Sequence, residues 1–372
     1  MAHSSGLFPT FKLMKNKRLL IFTGGLLILA LLIRLYSSST VRVENGYSTG
    51  VYPYISTFLR HLMGWLPFSL GDILYGLFVG WILWKLIRGV RALIKKKVTR
   101  QGFIRGCLKL LAVFLCLYVL FNFSWGINYN RKGIAAQLQL VMDKYSQGDL
   151  KNLNAMLVEK VNSAKASLVG RHEDYPSNRQ LFKKVQEAYN AIDSLYPFLQ
   201  YHTISIKPSL WGWLGNYTGF TGYYNPFTGE AQVNTTIPKF IQPYTTCHEV
   251  AHQLGYAKEM EANFVGYLAA SASTDTLFHY SVYLDLFIYS NRNLFRSDSV
   301  AAKTFAQQLI PAVKADLQEW RDFNRRHRNP IEPVIRWLYG KYLESNQQPQ
   351  GVLSYDEVTG FLIAYYKKFG KI

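Results

Sequence analysis

The chain has 372 residues, 49% of them hydrophobic and 17% charged, with a mean hydropathy of −0.02. This balance excludes a disordered chain, which combines low hydrophobicity with high charge. Of the formal net charge of +19, +14 falls in residues 1–127, where sixteen Lys and Arg accompany only two acids, Glu44 and Asp72. Basic residues flanking long apolar runs are the pattern of membrane topology, so no nucleic-acid partner is expected.

Three runs reach the roughly 20 mostly apolar residues needed to cross a hydrocarbon core. They cover about 19–36, 66–87 and 107–127. Arg34, near the end of the first, has a side chain long enough to reach the headgroups. With Tyr36 it also makes a poor signal-peptide cleavage site, so this run is read as an uncleaved anchor. The N-terminal flank carries Lys12, Lys15, Lys17 and Arg18, and the loop after the second run carries seven further Lys and Arg. The loop between the first two runs has only Arg42 and Arg60. The positive-inside rule then puts the N-terminus in the cytoplasm and residues 128–372 outside it, in a multi-pass inner (cytoplasmic) membrane protein. The basic loop is read as the inside flank, with anionic lipid as the other possibility. Asp72, the acid within the second run, is read as part of a Ser69-x-x-Asp72 capping box.

Beyond the membrane part, helical spacing predicts two or three helices up to about Gln200, interrupted near Gly148 and Pro176. Residues 202–236 are rich in Gly, Thr and aromatics. Alternation at His202–Ile206 and Glu230–Thr235, with a turn at Asn225–Gly229, predicts a small sheet containing a hairpin. For Trp211–Tyr217, contact with the bilayer, a cleft wall and ordinary burial all stay open. Helical spacing resumes near Tyr244 and continues almost to the end. The three cysteines, 107, 116 and 247, cannot form a disulfide framework.

Residues 248–252 read His-Glu-Val-Ala-His. On a helix the two imidazoles lie one turn apart on the same face and reach one ion, and Glu249 sits about 100° away round the axis. Two imidazoles and a carboxylate suit Zn2+, and Glu249 is then positioned as a general base. Position 258 is Lys, where a third histidine would be needed, so the third ligand is an acid, Glu259 or Glu261. Asn263, one turn beyond Glu259, favours Glu259 because it can steady a ligating histidine. Cys247 is read as a small buried residue. His279, Tyr280 and Tyr283 are candidate oxyanion donors, with core packing the favoured reading for each of them. The strand near Glu230–Thr236 is the expected edge for an added peptide strand.

The Glu-x-x-Ala-Asn element at residues 259–263 resembles that of gluzincin-type peptidases, which implies Glu259 as third ligand. The three runs followed by NPFTGEAQVNTTIPKFIQPYTTCHEVAHQLGYAKEMEANFVGYLAA resemble an uncharacterised bacterial membrane-protein family, domain of unknown function family 3810. The likeness covers nearly the whole chain and is densest over residues 218–270. Together these readings predict a membrane protein with three N-terminal transmembrane helices in residues 1–127. A mainly helical α+β, zincin-like domain follows in 128–372, with a small sheet before the HExxH helix. The expected function is hydrolysis of a peptide or protein substrate near the lipid bilayer. The alternatives are a metal-containing binding or assembly protein and a zinc amidase acting on the cell envelope.

Overall fold

The computed structural model describes residues 14–170 and 175–372; Lys12 lies outside them. In chain order the first helices are α1 (Met14–Ser37), α2 (Thr40–Arg42), α3 (Tyr52–Gly64), α4 (Leu70–Ile94) and α5 (Arg100–Ser124). A π-helical segment, Val43–Val51, joins α2 to α3. Then come α6 (Gly133–Gln137), α7 (Gln147–Leu168), α8 (Asn178–Asp193), β1 (Ile206–Pro208), α9 (Gly212–Thr218), β2 (Gly222–Asn225) and β3 (Glu230–Val233). The chain ends in α10 (Gln242–Gln253), α11 (Glu259–Ala272), α12 (Thr276–Ser297), α13 (Ser299–Gln307), α14 (Pro311–His327), α15 (Glu332–Ser345) and α16 (Val358–Phe369).

The protein is a membrane protein: Lys17–Ser37, Leu70–Ile94 and Arg100–Ser124 are long and apolar enough to cross a bilayer. Two boundaries differ from the hydropathy reading. The second helix starts at Leu70 because Ser69 caps it, its Oγ accepting from Asp72 N at 3.0 Å. It then runs past Arg88 and Arg91, since Arg and Lys continue a helix readily. The third starts after Thr99, whose Oγ1 accepts from Gly102 N at 3.1 Å, and ends at Ser124.

The capping box at Asp72 is only half formed. Its carboxylate leaves Ser69 and instead accepts from Leu210 N at 2.7 Å, from Ser209 Oγ at 3.2 Å and from Tyr223 OH. Glu230 supplies the missing N-terminal acid, accepting from Gly71 N at 2.6 Å and Leu70 N at 3.1 Å. A carboxylate there complements the positive end of the helix dipole. The start of α4 is thus fastened to the sheet.

That sheet has the order β1-β3-β2, with β1 parallel and β2 antiparallel to β3. The Asn225–Gly229 turn forms as expected, Gly229 N donating to Asn225 O at 2.8 Å. The first expected strand forms later than the alternation suggested, at Ile206–Pro208. Since β3 is central, Glu230–Val233 has no free edge; β2 is the edge strand on its side. Around the sheet, α7, α8, α10, α11, α12 and α16 share one apolar core.

The loop between α1 and α4 also belongs to this body. Tyr52 OH and Ser56 Oγ of α3 both donate to Gln253 O, at 2.8 and 2.7 Å. The buried Glu44 pairs with the buried Arg131 at 2.8 Å.

Candidate metal centre

Every residue of α10 is buried. Pro243 sits in its first turn, where the missing N–H costs nothing. The helix ends at Gly255, whose φ of +86° is a left-handed conformation that glycine adopts without strain. Gly255 N donates to His252 O at 3.0 Å and Tyr256 N to Ala251 O at 3.1 Å, closing the end as a Schellman motif. This tight reversal returns the chain so that α11 begins beside α10, with Glu259 as its first residue.

Glu259 thereby meets both histidines. Its Oε2 lies 3.2 Å from His248 Nε2 and 3.5 Å from His252 Nε2. One ligand atom from each of the three residues falls within 4.8 Å of the others. The imidazole rings are 4.7 Å apart between centroids and nearly perpendicular, at 88°. His252 Nδ1 lies 2.7 Å from Tyr256 O. A carbonyl only accepts, so Nδ1 donates to it and Nε2 is the nitrogen turned toward the cluster. Glu259 Oε1 accepts from Tyr339 OH at 2.7 Å, and Glu259 N donates to Gln348 Oε1 at 2.9 Å.

Glu249, also buried, lies on the sheet side of the cluster. A Cβ on Gly222 of β2 would come within 2.6 Å of Glu249 Oε1. Only glycine lets the edge strand approach this carboxylate so closely. Glu249 Oε2 and Glu259 Oε2 are both buried and find no well-formed hydrogen-bond donor among the described residues. Orphaned carboxylate oxygens facing two imidazoles fit a cation, which satisfies them without a proton.

The electrostatics agree with that fit. Burial pushes the Glu249 carboxyl up to about 8. Burial alone would also raise Glu259, but the two imidazoles hold it well below the usual carboxylate range. His252 is disfavoured as a cation by burial, yet the Glu259 carboxylate outweighs this and raises it to about 9. His248 is lowered, chiefly by burial.

Glu261 goes elsewhere. It faces Lys258 Nζ at 3.8 Å and packs against Gly133, near the Glu44–Arg131 pair. Asn263 adjoins His248 without closing a well-formed hydrogen bond to Nδ1; its amide donates to Tyr355 O at 3.3 Å. The three candidate oxyanion donors lie on α12 and turn away. His279 Nε2 bonds Ser273 O at 2.7 Å, Tyr280 OH donates to Asp316, and Tyr283 stacks under Lys160. Cys247 is fully buried, as expected of a small core residue.

The side chains that do surround the cluster come from distant sequence. Tyr355 stacks on His248 with centroids 6.1 Å apart, and its hydroxyl lies 3.2 Å from Tyr339 OH. Trp125, the residue after α5, donates its indole N–H to His252 O at 2.9 Å and sits edge-on to the His252 ring. The His248–His252–Glu259 cluster therefore lies directly at the end of α5, one of the helices long enough to cross a bilayer.

The chain belongs to the family described as protein of unknown function (DUF3810), which matches residues 47–363. No curated protein and no solved structure matches it.

Proposed function

We propose that this protein is a membrane-anchored, zincin-like zinc metallopeptidase in which His248, His252 and Glu259 hold the ion and Glu249 is the general base. The reading is carried by the meeting of three ligand atoms beside a further buried carboxylate with an unsatisfied oxygen. Two imidazoles and a carboxylate suit zinc and leave a coordination position open. When bound, zinc polarises a carbonyl and lowers the pKa of water at that position to about 7.

The chain's own groups supply the rest. Glu249 takes a proton from the attacking water and returns it to the departing nitrogen. Tyr256 O fixes the His252 tautomer, and Tyr339 OH fixes the Glu259 carboxylate. A peptide substrate is supported by β2, an edge strand whose Gly222 borders Glu249, because an extended peptide adds to such an edge through main-chain bonds. The charge asymmetry of the loops supports a cytoplasmic N-terminus in the inner membrane and an extracytoplasmic centre.

The test is the zinc content of the purified full-length chain and two variants. Wild type should carry zinc stoichiometrically. Glu259→Ala should lower the affinity by at least the 10–100-fold that loss of a ligand's supporting group gives. Glu261→Ala should retain it. Exchange of the two variant results would refute the ligand set.

A further inference from the structure

The helix that presents Tyr339 to Glu259 has an unusual outer face. Along α15, Ile335, Tyr339, Gly340 and Leu343 turn inward, as a core-facing stripe should. The opposite stripe is Val334, Trp337, Leu338, Lys341 and Tyr342, spaced i, i+3, i+4, i+7, i+8. Helices on water place charge there. Here Trp337 is 61% exposed, Leu338 56% and Val334 54%, with Ile331 just before them at 65%.

A second apolar element lies alongside. α9 exposes Trp213 (57%) together with Leu214 and Tyr217. The two are tied: Asn329 Nδ2 donates to Tyr217 O at 2.6 Å, and Phe220 sits edge-on to Tyr339 at 5.2 Å. Contiguous exposed apolar surface of this kind marks an interaction site.

Both elements run into the membrane-crossing helices. Trp211, at the start of α9, donates to Asp72 O of α4 at 3.1 Å, and its ring would lie 3.0 Å from a Cβ on Gly76. Tyr342 OH of α15 lies 3.1 Å from Tyr129 OH, five residues after α5 ends. The patch is therefore continuous with the lipid-facing surface at one end of the helix bundle. Arg325, Arg326 and Arg328, exposed where α14 leads into α15, flank it with positive charge. Trp and Leu on one face with Arg alongside is the composition of an element lying in the headgroup region of an anionic bilayer.

We propose that α9 and α15 rest in the headgroup region of the same bilayer that α1, α4 and α5 cross, at the end where α5 meets His252. Through Tyr339, the buried side of α15 contacts Glu259 while its other side touches lipid. The metal centre then opens at the membrane surface.

The experiment uses the full-length chain in nanodiscs of mixed phosphatidylethanolamine and phosphatidylglycerol. In a Cys107→Ser/Cys116→Ser background, nitroxide labels are placed through Val334→Cys, Leu338→Cys and Trp213→Cys. Val300→Cys is the reference, on α13 and 74% exposed. These positions are exposed, so labelling does not disturb the core. Labels at 334, 338 and 213 should be shielded from a water-soluble nickel chelate several-fold relative to 300 and remain open to oxygen. Chelate access equal to that at 300 would overturn the proposal. So would shielding accompanied by spin–spin broadening between copies, which would mean a second chain covers the patch. The readout involves neither metal nor substrate, so it fails or succeeds independently of the peptidase reading.

Discussion

Tyr339→Phe isolates one hydrogen bond at the metal centre. Tyr339 OH donates to Glu259 Oε1 at 2.7 Å, on the carboxylate whose other oxygen faces the imidazoles. The substitution removes one oxygen and keeps the ring that packs edge-on against Phe220 and stacks on Tyr342. Loss of a group that orients a ligand costs about 10–100-fold in metal affinity. At about 1.4 kcal/mol per tenfold, that is roughly 1.4–2.8 kcal/mol. Ligand linkage gives an assay without a substrate, since zinc stabilises the folded protein by an amount set by its dissociation constant. Thermal unfolding across a zinc titration should therefore show the Tyr339→Phe midpoint rising only at higher zinc, with the metal-free midpoint little changed. Identical zinc dependence in variant and wild type would refute the view that Tyr339 holds Glu259 for a cation. A lowered metal-free midpoint with unaltered zinc dependence would reduce Tyr339 to a packing residue.

Two further outcomes are expected. Glu44 works against burial to pair with Arg131, whose hydrogen bond and charge lower the Glu44 carboxyl below its ordinary range. A lowered folded-state value contributes stability above the unfolded value that is lost as the pH falls through the folded one, so wild type should weaken in acid. Glu44→Gln should cost about 3–5 kcal/mol at neutral pH, because Arg131 is left buried and unpaired, and should flatten the acid dependence; unchanged unfolding curves would contradict this. For topology, a reporter fused after residue 130 should be active only outside the cytoplasm, and one near Thr99 only inside; the reverse pattern would mean the charge asymmetry does not set the orientation.

How much of this was legible in the sequence depended on how far apart the interacting residues lie. His248 and His252 are one helical turn apart, so their shared face follows from the helix period alone. Glu259 follows after one glycine-ended turn, whereas the histidine contact by which Asn263 was to favour it over Glu261 is not made, the Asn263 amide donating to Tyr355 O. Asp72 and Glu230 show the opposite. The local Ser69-x-x-Asp72 pattern suggested a self-contained cap, but tertiary partners 138 residues away claim the Asp72 carboxylate, and Glu230 takes its place from 159 residues away. Tyr339 on α15, Gln348 in the loop after it and Tyr355 in the short 3-10 segment Gly351–Glu357 reach the centre from 80 or more residues downstream, where local spacing says nothing of what they meet. His279, Tyr280 and Tyr283 were nearer in sequence, yet α12 turns His279 to Ser273 O, Tyr280 toward α14 and Tyr283 toward α7. Position along a helix gives a face; which neighbour that face meets is a property of the packed fold.

The central claim is that Glu249 is a base beside the zinc ligands and not one of them. Glu249→Gln preserves the side chain's size and removes its basicity, while His248, His252 and Glu259 are untouched. The decisive measurement is the zinc content of the purified Glu249→Gln protein read beside its ability to complement a deletion strain. Retained zinc is expected, with function reduced by about 10²–10⁴-fold, the worth of general acid–base assistance. Full complementation by zinc-loaded Glu249→Gln protein would contradict it.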